Sequence, residues 1–431
     1  MLRALLRFVA AAAALAGQGS AAQAADWPTY HGDNLRTGVA SSSSLSRLSR
    51  AWSANLDGKI YASPLIARGR VIAATENNSV YAFDTSGKRL WRTHIGTPVS
   101  GGSLPCGNID PSGITGTPAI DLRRGTIYAV VFLQPFRHQL VAINLTNGKV
   151  RWRRGIDGKG SDGRVEQERG ALVISRGRVY VPFGGLFGDC GDFHGFVVSR
   201  TLSGKGLRTY KNPAGEAGMW APGGLTTDSK GNVFGATGNG RAGSFGFQSA
   251  VVRLTPRLRR SAFWAPRDWR QLSSTDTDVG SIQPALLRGG LVFQSGKNGV
   301  GYLLGSSLGG VGGELFSAHV CDAAFGATAY QPPFVYVPCA SGLTAIRIQG
   351  KRFGVAWRRT GFNAGPPIVA GGAVWTIDRS GGTLHGYDPA TGRDVTSTEL
   401  GDATGFPTPA ANGSLLVAPA GATVVAFRGF G

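Results

Sequence analysis

Acidic side chains are scarce in this chain. Asp and Glu number 25 against 45 Lys and Arg, a formal charge of +20, and such an excess points to an anionic partner or surface. Cysteine is scarcer still. There are four in 431 residues, no two adjacent, and none in a C-x-x-C-H haem-attachment motif. No spacing of acids or histidines matches a known metal loop. The apolar run near the N-terminus, Phe8 to Ala16, is too short to anchor in a bilayer. It carries no twin-arginine pair before it and no cysteine at the cleavage position after it, so no lipid anchor is expected. Apart from Ser41 to Ser44 there is no low-complexity linker.

What is present begins with a leader. Residues 1–25 read as a Sec-type signal peptide: basic residues through Arg7, the apolar run, then Ala22-Gln23-Ala24 as a small-residue cleavage site. The mature chain is expected outside the cytoplasm, secreted or in the cell envelope. An even number of cysteines in an exported chain predicts two disulfides. Glycine, at 67 residues, marks turns and close packing, because strand patterns fill the gaps between glycines.

Ser63 to Trp91 sets the unit. Four short strands (SPLIA, VIAAT, VYAFD and RLW) are joined by the turns ARGR, ENNS and TSGK. One such sheet cannot bury both faces alone and needs neighbours of the same kind. They follow in register, with first strands at Thr117-Pro118, Ala171-Leu172, Pro222-Gly223, Gln283-Pro284, Ala327-Thr328, Pro366-Pro367 and Thr408-Pro409. Fourth strands carry Trp91, Trp152, Tyr210, Trp264, Phe316 and Trp357 at an equivalent place; the seventh, RDVTSTEL, lacks the aromatic. The eighth repeat ends without a fourth strand, and Arg47 to Ser53 has the missing pattern. The expectation is an all-β fold: an eight-bladed propeller of four-stranded antiparallel blades, its last blade closed by the N-terminal strand. Residues 26–47 form an N-terminal segment and 48–431 the single propeller.

Asp26-Trp27-Pro28-Thr29-Tyr30, followed by repeats such as Phe83-Asp84-Thr85-Ser86-Gly87-Lys88-Arg89-Leu90-Trp91 and Asn144-Leu145-Thr146-Asn147-Gly148-Lys149-Val150-Arg151-Trp152, resembles the pyrroloquinoline-quinone-like (PQQ-like) propeller repeat family. The resemblance implies that the fourth-strand tryptophans dock blade against blade. It carries the fold rather than a function. The family's quinone alcohol dehydrogenases use adjacent cysteines in a vicinal disulfide, a calcium held by Glu, Asn and Asp, and an aspartate base. Adjacent cysteines are missing here. No cofactor is therefore expected, with PQQ or calcium as the alternative that the resemblance admits.

In such a ring, connections between blades and second-to-third turns share one face, the top; the remaining turns share the bottom. Most acids fall in top connections. The densest of these loops, Gly184 to Gly195, holds Asp189, Cys190, Asp192 and His194. A Cys106–Cys190 bridge would draw Asp110 toward them, which makes Asp110, Asp189, Asp192 and His194 the ligand-binding candidates, with no metal assigned. A Cys321–Cys339 bridge would staple the sixth blade. The bottom turns are basic: Arg68, Arg70, Arg123, Arg124, Arg176 and Arg178 are the candidates for polyanion binding. Expected partners are an anionic envelope polymer, a lipid surface or an acidic protein. Export disfavours nucleic acid, no transmembrane anchor is expected, and the protein is expected to be a monomer. The function reading is a non-catalytic binding or scaffold propeller of the cell envelope. The alternative is a quinone-dependent oxidoreductase or a carbohydrate-active enzyme working at the top face.

Overall fold

The structure, a computed structural model, describes residues 25–41, 45, 47–158, 160–241 and 243–430. The proposed leader, apart from Ala25, lies outside the described residues. Eight antiparallel sheets follow one another along the chain. The first consists of Leu65–Ala67, Arg70–Ala74, Ser79–Asp84 and Arg89–His94. The last consists of Ala410–Asn412, Leu415–Ala420, Thr423–Phe430 and, as its outer strand, Arg47–Asn55. Trp52 faces Ala426 in that pairing, so the two ends of the chain close the ring.

Each blade follows from its burial pattern. In the first blade the second and third strands are apolar and nearly wholly buried, while the outer strand Arg89–His94 alternates. Inner strands are covered on both faces by adjacent blades and so read as continuous apolar runs. The outer strand keeps one face in water and shows the two-residue period of a half-exposed strand. Two blades depart from four strands. Glu166–Gln167 joins the third sheet, and Gly310–Val311 adds a parallel fifth strand to the fourth.

Neighbouring blades are locked by one repeated device. The indole of Trp91 donates to the Leu145 carbonyl at 3.2 Å, and that of Trp357 to Pro389 at 3.0 Å. Each indole covers a turn glycine, Gly148 or Gly392, whose φ is positive and whose missing Cβ leaves the room.

The N-terminal segment closes the bottom of the axial channel. Trp27 exchanges backbone bonds with Ile66, Pro28 accepts from Ile120, Thr37 from Tyr330 and Gly38 from Val369. Buried Arg36 donates to the carbonyls of Leu225 (3.1 Å), Tyr30 (2.9 Å) and Leu172 (2.8 Å). One guanidinium thus satisfies carbonyls from two blades and from the plug itself. Burial lowers its pKa to about 10, so it stays charged.

Arg178 does not belong to the exposed basic set, which corrects the sequence expectation. It is 7% exposed. Its guanidinium donates to Ser199 Oγ at 3.1 Å, to the Ser199 carbonyl at 2.9 Å and to the Gly206 carbonyl. The third-to-fourth turn of its own blade folds over it. Arg68, Arg123, Arg124 and Arg176 do lie in first-to-second turns, while Arg70 begins a strand and is half-buried.

Candidate ligand site at the top mouth

Top connections converge on a funnel of about 1080 Å³, blind because the N-terminal segment plugs the far end of the axis. Its wall draws on nearly every blade: Tyr61, Arg169, Trp220, Asn239, Lys297, Phe325, Arg379 and Phe406.

One side is cationic. Arg169 lies between the short strand Glu166–Gln167 and the strand Val173–Ser175 of the third blade, and it lines the funnel. Its guanidinium lies 5.9 Å from the ring centroid of Phe406, and that of Arg379 lies 4.1 Å from the same ring. Arg379 is held by the Gly405 carbonyl (2.8 Å) and Asn363 Oδ1 (3.2 Å). Arg169 makes no hydrogen bond or ion pair among the described residues. Burial, then the like charge of Arg169, pulls Arg379 down to about 10. Burial also lowers Arg169, against the opposing pull of Tyr61 and Glu76. Two desolvated cations with spare donors attract an anion.

Near Arg169 lie buried Glu76 and Glu168. Burial raises Glu76 to about 7, although Gly113 N–H donates to its Oε2 at 2.6 Å. Burial raises Glu168 well above its ordinary value, opposed by the Gly116 backbone and reinforced by Glu76.

The other side is an ion triad. Lys297 donates to Asp276 and lies 2.9 Å from Asp278 Oδ2, with its ammonium 5.4 Å from the Trp220 ring. Burial disfavours the ammonium, but the two carboxylates outweigh that and hold its pKa above the ordinary value.

The sequence candidates are only partly together. Both disulfides form, Cys106–Cys190 and Cys321–Cys339. Asp189 lines the funnel, its carboxyl pushed up by desolvation and then by Asp276. Asp192 pairs instead with Arg241 at 3.1 Å, and Asp110 accepts from Gly101 N–H at 2.8 Å. His194 is lowered by desolvation and then by Lys211. Neither Asp110, Asp192 nor His194 lines the funnel. Among the described residues, Cys321, Asp322 and Cys339 are the one grouping of metal-type ligand atoms, and its sulfurs are consumed by the disulfide.

The family model for the outer membrane protein assembly factor BamB matches residues 48–184. Solved structures of similar fold include the quinohemoprotein alcohol dehydrogenase of Comamonas testosteroni, with a TM-score of 0.73 at 15% identity, covering 94% of this chain and 80% of that one. A europium-containing methanol dehydrogenase superposes with a TM-score of 0.72 at 15% identity over 92% and 90%. BamB of Moraxella catarrhalis does so with 0.59 at 13% over 89% and 100%. Over residues 48–184 the repeats match that PQQ-like family model, and the fold as a whole is similar to these propellers. Among curated proteins none matches this chain in sequence.

The quinone and calcium implied by some PQQ-like propellers can be tested against these residues. A carboxylated ring finds cations in Arg169 and Arg379 and a flat face in Trp220. A divalent cation finds no ligand set. Asp276 and Asp278 are both committed to Lys297, and neither Glu76 nor Glu168 lines the funnel. The mouth disulfide joins cysteines 84 residues apart rather than adjacent ones. The residues do not fit the quinone–calcium pair.

Proposed function

We propose that this PQQ-like propeller is an extracytoplasmic, non-catalytic binding protein whose top funnel holds a small ligand with a planar ring and a carboxylate. The observation that carries this is Arg169, lining the funnel with no hydrogen-bond partner and sharing the Phe406 ring with Arg379. Arg169 is partly exposed to the funnel, so its free donors can meet an acceptor that enters. Aromatic walls supply the apolar contact that orients such a ligand. The two disulfides fit an oxidising compartment, and no helix among the described residues is long and apolar enough to cross a membrane.

Isothermal titration with trimesate, a benzene ring bearing carboxylates, tests the proposal. Binding is expected for the parent, unchanged by EDTA, and weaker by about tenfold or more in Arg169→Ala, the loss of a charged hydrogen bond. Equal binding by both proteins would refute it. A second reading, a quinone-dependent oxidoreductase, is favoured by one observation: Trp220 lines the funnel with the Lys297 ammonium 5.4 Å from its ring centroid. Dye reduction by protein supplied with PQQ and calcium would support that reading; none is expected.

A further inference from the structure

The bottom face carries a second concavity, of about 1240 Å³, running beside the N-terminal plug from the third blade to the sixth. Its rim holds Arg176, Lys230, Arg253 and Arg288. None of these forms an ion pair among the described residues. Two acids also line it, each held by a neighbour in its own turn. Asp33 accepts from the Thr37 N–H at 3.1 Å, and Asp228 from the Asn232 N–H and amide at 2.8 Å. The cleft therefore carries four cations against two carboxylates, a net positive charge.

Two of the cations are fixed in place. Arg176 reaches from the third blade to the Ser229 carbonyl of the fourth at 2.5 Å, and Arg253 from the fourth to the Ser306 carbonyl of the fifth at 2.7 Å. Arg176 uses one nitrogen of its fork, and Arg253 two, its Nε also donating to Ser261 Oγ at 3.1 Å; each keeps a terminal nitrogen for a ligand. Holding the forks in advance lowers the entropy lost on binding. The floor between them is apolar: Leu35, 41% exposed on the plug, with Leu286 and Leu291 partly exposed beside it. Aromatic platforms that a glycan would stack on are few, with Tyr330 nearly buried.

We infer that this cleft binds a phosphate-bearing amphiphile, its phosphate between the arginine and lysine side chains and its apolar chain along Leu35, Leu286 and Leu291. Guanidinium forks match phosphate oxygens in pairs, and apolar area explains why the floor is not polar. The site is separate from the top funnel and does not depend on it.

The experiment is calorimetry with short-chain phosphatidic acid kept below its micelle concentration, using the intact protein. The parent should bind it. Lys230→Ser/Arg288→Ser, which removes two side chains with no internal bond, should weaken binding by about tenfold or more. Leu286→Asp should weaken it too, and Arg393→Ser, on a bottom turn outside the cleft, should leave it unchanged. Because a cleft variant could fold poorly, each is also titrated with trimesate, whose binding at the top funnel should persist. Inorganic phosphate should bind far more weakly. Equal binding of inorganic phosphate would overturn the amphiphile and leave a free-phosphate site. Undiminished binding by Lys230→Ser/Arg288→Ser would overturn the cleft, as would preference for an acidic peptide over the lipid.

Discussion

Trp52 lies flat against Gly87. Its indole donates to the Thr85 carbonyl at 3.2 Å, and a Cβ on Gly87 would come within 2.6 Å of the indole Cγ. Trp52 belongs to the strand that closes the last blade, and Gly87 to a turn of the first. The contact that locks consecutive blades elsewhere here joins the two ends of the ring.

Gly87→Ala should therefore be costly. Alanine must take a φ of +92° and displace the ring, a penalty of roughly 2–4 kcal/mol from left-handed strain and overpacking. Gly69→Ala is the control. Its φ is also positive, at +68°, but nothing lies within 4 Å, so about 1 kcal/mol is expected. Thermal melts of the two variants should separate clearly. Equal shifts would show that the glycine is needed only for its backbone.

The disulfides stabilise by different amounts. The chain-entropy relation gives about 3 kcal/mol for the short loop closed by Cys321–Cys339 and about 4.5 kcal/mol for the long one closed by Cys106–Cys190. Cys106→Ser/Cys190→Ser should also weaken ligand binding at the top mouth, because Asn108 and Leu186 beside the bridge line the funnel. Denaturant unfolding and trimesate titration read the two effects. A variant that lost stability but bound normally would detach the bridge from the site.

How much of this was legible depended on range. Trp91 and Gly148 recur at fixed spacing, so the blade count, the ring closure and the docking role of the tryptophans could be read from local pattern. The funnel was not legible. Arg169, Lys297, Arg379 and Phe406 come from different blades, and no spacing links them. A signal existed at Glu168-Arg169, charges set in the connection that leads into the first strand of the third blade. The plug was missed for the same reason, since Arg36 finds its acceptors at Leu172 and Leu225, far along the chain. Arg178 was misplaced because adjacency to a turn does not reveal that another turn folds over it.

Stability should fall as pH rises toward neutrality. Burial lifts Glu76 from 4.5 to about 7 and Glu166 from 4.5 to about 8 in the folded protein. Below the ordinary value both states hold the proton and the contribution is complete. Between that value and the folded one the unfolded chain has released its proton while the folded chain still binds it. The folded state is then progressively disfavoured, and the contribution is lost as pH passes through the folded pKa. Tm should drop from about pH 5 to about pH 8, and Glu76→Gln/Glu166→Gln should flatten that slope. A parent whose Tm rose over this range, or a variant with the parent's slope, would contradict the burial assigned to these carboxyls.

The central claim is that the top funnel is an anion-reading pocket built around Arg169 and Arg379. The most direct test is a crystal structure of the protein with trimesate. A carboxylate should lie within hydrogen-bond distance of both guanidiniums, about 3 Å from each, with the ring against Phe406 or Trp220 and Lys297 still held by Asp276 and Asp278. Trimesate seated elsewhere, or in the funnel with its carboxylates turned away from both arginines, would contradict it.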